Sequence, residues 1–277
     1  MDNTEANIAS DDPAVESTPR NIGAGKDIAR RQYKTQSWSW ADLTGILAGD
    51  DPARRVADRV APYWERQFQR TLVNTLTGVF ADNDANDSGD MINDIGTDAG
   101  GAPAATELVS AEAILDTKQT MGDAGEALST IIMHSVVRTR LDKLNLIDFI
   151  PDSQGVIKYP TYLGYRVIVD DSVRAVTGAN RTKYWTYLCG PNLLGWAEVP
   201  AKNAVATDRD EQKGNGAGIE TLYTRRQFVM HPYGIKFTDS SVAGEFPTHA
   251  ELAAAGNWDR VYAERKQIPL AALVTNG

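Results

Sequence analysis

Residues 46–81 read ILAGDDPARRVADRVAPYWERQFQRTLVNTLTGVFA, and their spacing decides what kind of molecule this is. Val56, Val60, Trp64, Phe68, Leu72, Leu76 and Phe80 recur every four residues. That repeat draws one apolar stripe along a helix of about eight turns. Asp50 or Asp51 is placed to accept from the free N–H groups of a first turn, and Pro52 suits the opening helical position. Arg54, Arg55, Asp58, Arg59, Glu65, Arg66 and Arg70 fill most of the remaining surface. Pro62 lacks an N–H and crowds the preceding turn, so a kink is expected there. The pattern predicts a helix over 51–80 that packs one side and leaves a charged face for water or a neighbour.

Upstream, residues 1–26 are polar and rich in Asp, Asn, Ser, Thr, Pro and Gly, and read as an arm or long loop. Residues 27–40, DIARRQYKTQSWSW, read as extended chain. One face carries Ile28, Arg30, Gln32, Lys34, Gln36, Trp38 and Trp40; the other carries Ala29, Arg31, Tyr33, Thr35, Ser37 and Ser39. Neither face is apolar before the two tryptophans, so this strand has little to bury in its own chain. A sheet edge and a projecting arm both fit these residues.

Downstream, residues 81–105 form a Gly/Asp/Asn-rich loop holding Asp82, Asp84, Asp87, Asp90, Asp94 and Asp98 with no basic residue. A helical pattern over 106–128 shows Leu108, Ile114 and Leu115 as apolar. TIIMH (130–134) reads as a buried strand, and Ser135 as the cap of a helix carrying Val137, Leu141 and Leu144. Val167-Ile168-Val169 reads as a buried strand by composition. Residues 183–190, 193–199 and 221–237 are strand-like, 207–218 is polar and Gly-rich, and 250–263 includes a short helix before the tail IPLAALV. The order of elements is α+β, without the alternation of a doubly wound sheet.

The 277-residue chain has 42% hydrophobic and 23% charged residues, enough for one large domain or two small ones. No apolar run approaches the roughly 20 residues of a membrane span. A single cysteine, Cys189, rules out an intrachain disulfide. The net charge of −9 disfavours wrapping of nucleic acid. Chemical motifs fail on inspection. Gly23-Ala24-Gly25-Lys26-Asp27 has Arg20 and Asp27 where a phosphate loop needs Gly and Ser or Thr. The run from Asp84 to Asp90 matches half a calcium loop, but Ile95 stands where the bidentate Glu belongs. His134, His231 and His249 show no metal spacing, and Asp170-Asp171 point to opposite faces of a strand. No catalytic site, cofactor or metal is expected.

Four blocks together resemble the major capsid proteins of tailed bacteriophages. They are the helix stretch 46–81, MHSVVRTRLDKLNLIDFIPDSQG (133–155), YPTYLGYRVIVDDS (159–172) and TRRQFVMHPYGIKF (224–237), in the family's order and approximate separation. The resemblance spans residues 15 to 263 and implies the α+β Hong Kong 97-like phage capsid fold, with an E-loop hairpin, a long spine helix, a P-domain and an A-domain. Carried over, 1–45 is an N-terminal remnant and E-loop, with 15–40 its second half. Residues 46–110 are P-domain with the spine helix at 51–80, 111–215 A-domain, and 216–277 the return to the P-domain. Family members carry a longer arm and a first E-loop strand before the region matched here. The resemblance implies a non-enzymatic coat protein that assembles, in the bacterial host cytoplasm, as hexamers and pentamers of itself. It would enclose double-stranded DNA without sequence-specific binding and meet scaffolding, portal and decoration proteins. It implies no cofactor and no membrane partner. Arm residues Arg20, Lys26, Arg30, Arg31, Lys34, Trp38 and Trp40 are the subunit-interface candidates. Nothing identifies a partner for a lysine cross-link from Lys26 or Lys34. An encapsulin-type bacterial compartment, which shares the fold, is the alternative.

Overall fold

The computed structural model describes residues 6–17, 25–49, 51–144, 146–151 and 157–277. The chain opens with strand β1 (Arg31–Ala41) and a short helix α1 (Asp42–Ala48), then enters α2 (Pro52–Asn86), 35 residues long with Pro62 inside it. The Asp51 carboxylate accepts from the Ala53 N–H at 3.0 Å, as a helix-opening cap does. The helix runs six residues beyond the expected end at 80. Asn83 explains the extension: its amide donates to Asp90 at 2.7 Å and its carbonyl accepts from the Met91 N–H at 3.0 Å. Polar residues that read as loop are thereby satisfied inside the fold.

A mixed block follows: β2 (Ile92–Asp94), α3 (Ala111–Gln119), β3 (Thr130–Met133), α4 (Ser135–Lys143), β4 (Asp148–Pro151), β5 (Ile157–Tyr162), β6 (Tyr165–Val169), β7 (Ala175–Thr177) and β8 (Thr182–Cys189). The last third contributes β9 (Leu194–Val199), β10 (Val205–Asp210), β11 (Ile219–Pro232), β12 (Ile235–Phe237), α5 (His249–Leu252), β13 (Trp258–Arg260) and β14 (Leu270–Thr275). β11 is the centre of a four-stranded sheet: β1 pairs along one side, and β9 and β10 share the other. The eight-stranded sheet runs β2-β14-β8-β3-β6-β5-β4, with β7 also on β8. β12 and β13 form a small ribbon.

The larger sheet shows why two apolar layers form. Side chains alternate across a strand. Leu270, Ala272 and Val274 of β14, Trp185, Tyr187 and Cys189 of β8, and Ile132 of β3 face a cluster holding Val73, Leu76, Val79 and Phe80 of α2. Ala271, Leu273, Leu188, Ile131 and Met133 face the opposite cluster, with Ile114 of α3 and Val137 and Leu141 of α4. The tail IPLAALV is therefore a central strand, buried at all six positions of β14.

Several sequence expectations are corrected. The α4 cap is the His134 ring, which accepts from the Val136 N–H at 3.2 Å, not Ser135. Only Val167 of the 167–169 run is buried; Ile168 and Val169 are exposed. The pattern at 106–128 resolves into α3 between two 3-10 turns, and Leu115 faces solvent. β10 lies partly in the stretch that read as polar loop. The 221–237 strand is two strands, separated at Gly234, which has φ 78°.

Gly78 sits where α2 meets the α5–β13 corner. A Cβ there would overlap the Leu252 carbonyl oxygen and the Trp258 indole. Exposed helical Gly→Ala exchanges usually stabilise by about 1 kcal/mol. Here Gly78→Ala should destabilise by about 1–3 kcal/mol through overpacking, read as a lower urea midpoint with an unchanged m-value.

Candidate assembly surface

The sheet around β11 lies against the first half of α2, and its contacts fix where the candidate interface residues sit. Gln36, Lys34 and Trp38 of β1 all point to the helix. Tyr63 donates to the Gln36 side-chain carbonyl at 3.2 Å, and the Trp38 and Tyr63 rings meet edge to face at 5.2 Å. Beneath them Trp64 is buried and donates its indole N–H to Thr224 Oγ1 at 3.1 Å; that hydroxyl in turn donates to the Gln36 backbone carbonyl at 3.1 Å. Phe68 packs on Phe228 at 5.0 Å and Trp196 at 4.8 Å. Aromatic pairs of this geometry add about 0.5–1.5 kcal/mol beyond their buried area.

The expectation of a ribbon with little to bury in its own chain is overturned. All eleven residues of β1 pair with 219–229, and Gln32 is 1% exposed. The period-two reading counted Lys and Gln as polar, whereas their stems cover apolar surface, with the Lys34 and Gln36 ends hydrogen-bonded.

Lys34 is the clearest case. Its ammonium donates to Thr71 Oγ1 at 2.8 Å and faces His249 Nε2 at 2.6 Å. Burial, aided by Arg70, lowers the Lys34 pKa to about 8; burial, then Lys34 and Arg70, pushes His249 down to about 4. His249 is thus a neutral acceptor at neutral pH. This cluster ties β1, α2 and α5 together.

The other candidates divide. Arg30 pairs with Asp239 at 3.0 Å and donates to the Glu245 carbonyl at 2.8 Å. Arg31 is exposed, with its guanidinium 5.6 Å from the Phe246 ring centre. Lys26 is exposed, in a segment pinned by the Ile28 carbonyl to the Phe237 N–H at 2.9 Å and by Asp27 to His231 at 2.6 Å. Trp40 is half-buried at an open depression of about 670 Å³ with Ile46, Pro52 and Ala53. Arg20 lies outside the described residues. The surface that sequence reasoning missed is α1, where Leu43, Ile46 and Leu47 are exposed, the last two at 77% and 79%. The apolar triplet within ADLTGILAG was its available signal.

Nothing else resolves into chemistry. No group of three or more His, Cys, Asp or Glu among the described residues could hold a metal. Asp90 binds Arg260 at 2.8 Å, and Asp98 accepts from the backbone N–H groups of Ala179, Asn180 and Arg181. Cys189 is buried and its thiol is pushed up to about 12 by desolvation, so it is not a nucleophile. No described helix is long and apolar enough to cross a membrane.

Residues 77–269 match the family model described as Major capsid protein 13-like, or Gp13-like. The major capsid protein of Bacillus phage SPP1 is 39% identical over 250 residues, 90% of this chain and 73% of that protein. The chain belongs to the Gp13-like major capsid protein family. Among solved structures, the capsid of Ralstonia phage GP4 aligns with a TM-score of 0.57 at 10% identity, covering 90% of this chain and 74% of the other. The cyanophage Pam1 capsid asymmetric unit gives 0.53 at 9%, covering 97% and 82%. At such identities these two show the fold alone, and it is the α+β Hong Kong 97-like capsid fold. This Gp13-like chain is a tailed-phage major capsid protein and a component of the virion, on the phage side of the choice between phage coat and encapsulin.

The Lys34–His249 contact makes acid stability readable. His249 takes a proton near pH 6.5 when unfolded but only near 4 when folded. Between those values the unfolded chain binds more protons, so stability falls as pH drops from 6.5 to 4. His249 is only half-buried, and solvent screening leaves about 1–2 kcal/mol of this loss. His249→Gln should remove that part of the slope, measured by urea unfolding at pH 7 and pH 4.5.

Proposed function

We propose that this capsid protein closes a shell of hexamers and pentamers around packaged double-stranded DNA, that it assembles in the host cytoplasm, and that its role is purely structural. One observation carries the structural part of this reading: among the described residues, Lys34, His249, Asp98, Arg181 and Cys189 are committed within the fold. Lys34, His249, Asp98 and Arg181 serve as internal pins, and Cys189 is buried as a thiol. The net charge of −9 supports enclosure of DNA without adhesion to it.

In this reading α2 is the spine helix. The segments 46–110 and 216–277 form the P-domain, and 111–215 is assigned to the A-domain. The N-terminal segment 1–45 belongs to the arm and E-loop. Lys26, Arg31 and Trp40 meet neighbouring copies directly, and Arg20 is assigned to the same contact. Arg30, Lys34 and Trp38 act indirectly, by fixing the strand that presents the others. Scaffolding, portal and decoration proteins are the remaining partners.

Each exposed ion pair is worth about 0–1 kcal/mol, so cohesion must come from number. Purified protein, alone or coexpressed with its scaffold, should give closed particles by electron microscopy and sediment far above a monomer. A stable monomer under every condition, with no particles, would overturn the shell reading. Trp40→Ala should reduce particle yield while the melting temperature of unassembled subunits shifts little.

A further inference from the structure

Between β1, α2 and the turn before α5 lies a pocket of about 320 Å³ lined by Tyr33, Tyr63, Phe246 and the buried Trp64, together with Lys34 and His249. Aromatic walls of this kind suit an apolar or planar body. The polar group they surround is a cation. An ammonium has three N–H donors. Thr71 Oγ1 at 2.8 Å and His249 Nε2 at 2.6 Å receive two of them, and both partners are neutral at neutral pH. Among the described residues Lys34 forms no ion pair with a carboxylate. Its pKa, lowered to about 8, is that of a cation drawn out of water without a counter-ion.

The charges around this ammonium either share its sign or are already matched. Arg70 of α2 lies close enough to act on Lys34, Tyr63 and His249. Arg31 of β1 stands 5.6 Å from the centre of the Phe246 ring. Arg226, opposite Lys34 on β11, is paired with Glu198 at 3.0 Å. On α5 the Glu251 carboxylate accepts from the backbone N–H groups of Ala243 and Thr248 and from the Thr248 hydroxyl, at 2.8–2.9 Å. An aromatic pocket around an ammonium with neutral partners favours an anion that carries an apolar body.

We propose that this pocket binds a small organic carboxylate, with its carboxylate on the third N–H of Lys34 and its apolar body between Tyr33, Tyr63 and Phe246. The site lies within one chain, so the inference stands apart from the shell reading and is testable on unassembled subunits. A bound carboxylate pairs the buried ammonium and stabilises the junction of β1, α2 and α5 in proportion to its occupancy.

Isothermal titration of unassembled subunits with benzoate, acetate and inorganic phosphate tests it. Benzoate should bind once per subunit at pH 7. Acetate, which leaves the aromatic walls untouched, should bind about tenfold more weakly, and phosphate no better than acetate. The free ammonium loses its proton near pH 8, so benzoate affinity should fall about tenfold by pH 9.5. At pH 8.5 binding should draw in a proton, read as a heat that changes with the ionisation enthalpy of the buffer. Lys34→Met keeps the stem and should abolish both binding and proton uptake. Should that variant fail to fold, Arg70→Gln, at an exposed position, should weaken benzoate about threefold with an unchanged melting temperature. No benzoate binding, phosphate binding as tightly as benzoate, affinity indifferent to pH, or a folded Lys34→Met that binds like the parent would each overturn the inference. Benzoate binding confined to closed particles would place the anion in the lattice and overturn it as well.

Discussion

One rigid helix has to satisfy two sheets, and most of the molecule follows from that. The first half of α2 offers Trp64 and Phe68 to the sheet around β11, and the second half offers Val73, Leu76, Val79 and Phe80 to the sheet around β14. The two sheets are separate hydrogen-bonded units. Rotation of α2 about its axis would disengage both at once, so the four-residue repeat cannot drift without loss of two interfaces. The tight approach at Gly78 and the Trp64–Thr224–Gln36 chain fix the rotation from both ends.

The parts legible in the sequence were those governed by simple periodicity. The four-residue repeat marks α2, Asp51-Pro52 marks its start, and the short strand-like runs at 130–134 and 183–190 place β3 and β8 within a residue at each end. The parts that were not legible depend on partners far along the chain. Asn83 looks like loop until Asp90 and Met91 satisfy it. Leu270–Thr275 looks like a short tail until β2 and β8 flank it. Lys34 looks like a surface charge until Thr71 and His249, 37 and 215 residues away, receive its ammonium.

The candidate surface divides along the same line. Residue types chosen for an exposed ribbon were sought on β1, yet Lys34 and Trp38 turned inward. Hydrogen-bonded polar ends cost little to bury, and no scale of hydrophobicity anticipates which end will find a partner. The family resemblance reached the correct function although the physical picture of a ribbon lacking internal partners did not hold. The assignment therefore rests on the family match over residues 77–269 and on the 39% identity to the SPP1 major capsid protein, with the edge strand as a consequence rather than a cause.

The two sheets also differ in thickness, and the difference bears on how copies can meet. The eight-stranded sheet has apolar layers on both sides of its centre. The sheet around β11 has α2 on one face, while Arg31, Thr35, Ser37 and Ser39 of β1 are exposed. The β1 part of that face offers a neighbour hydrogen bonds and charges rather than an apolar core, with Tyr223 and Val199 exposed beside it. Large sticky faces would trap misplaced copies, since each wrong contact would be slow to break. In the proposed shell, weak polar contacts, with α1 as a small apolar supplement, would let a misdocked subunit leave before the lattice closes around it. Within the subunit, half-buried pins such as Arg181 on Glu107 at 2.6 Å are strong, whereas its fully exposed ion pairs are individually weak.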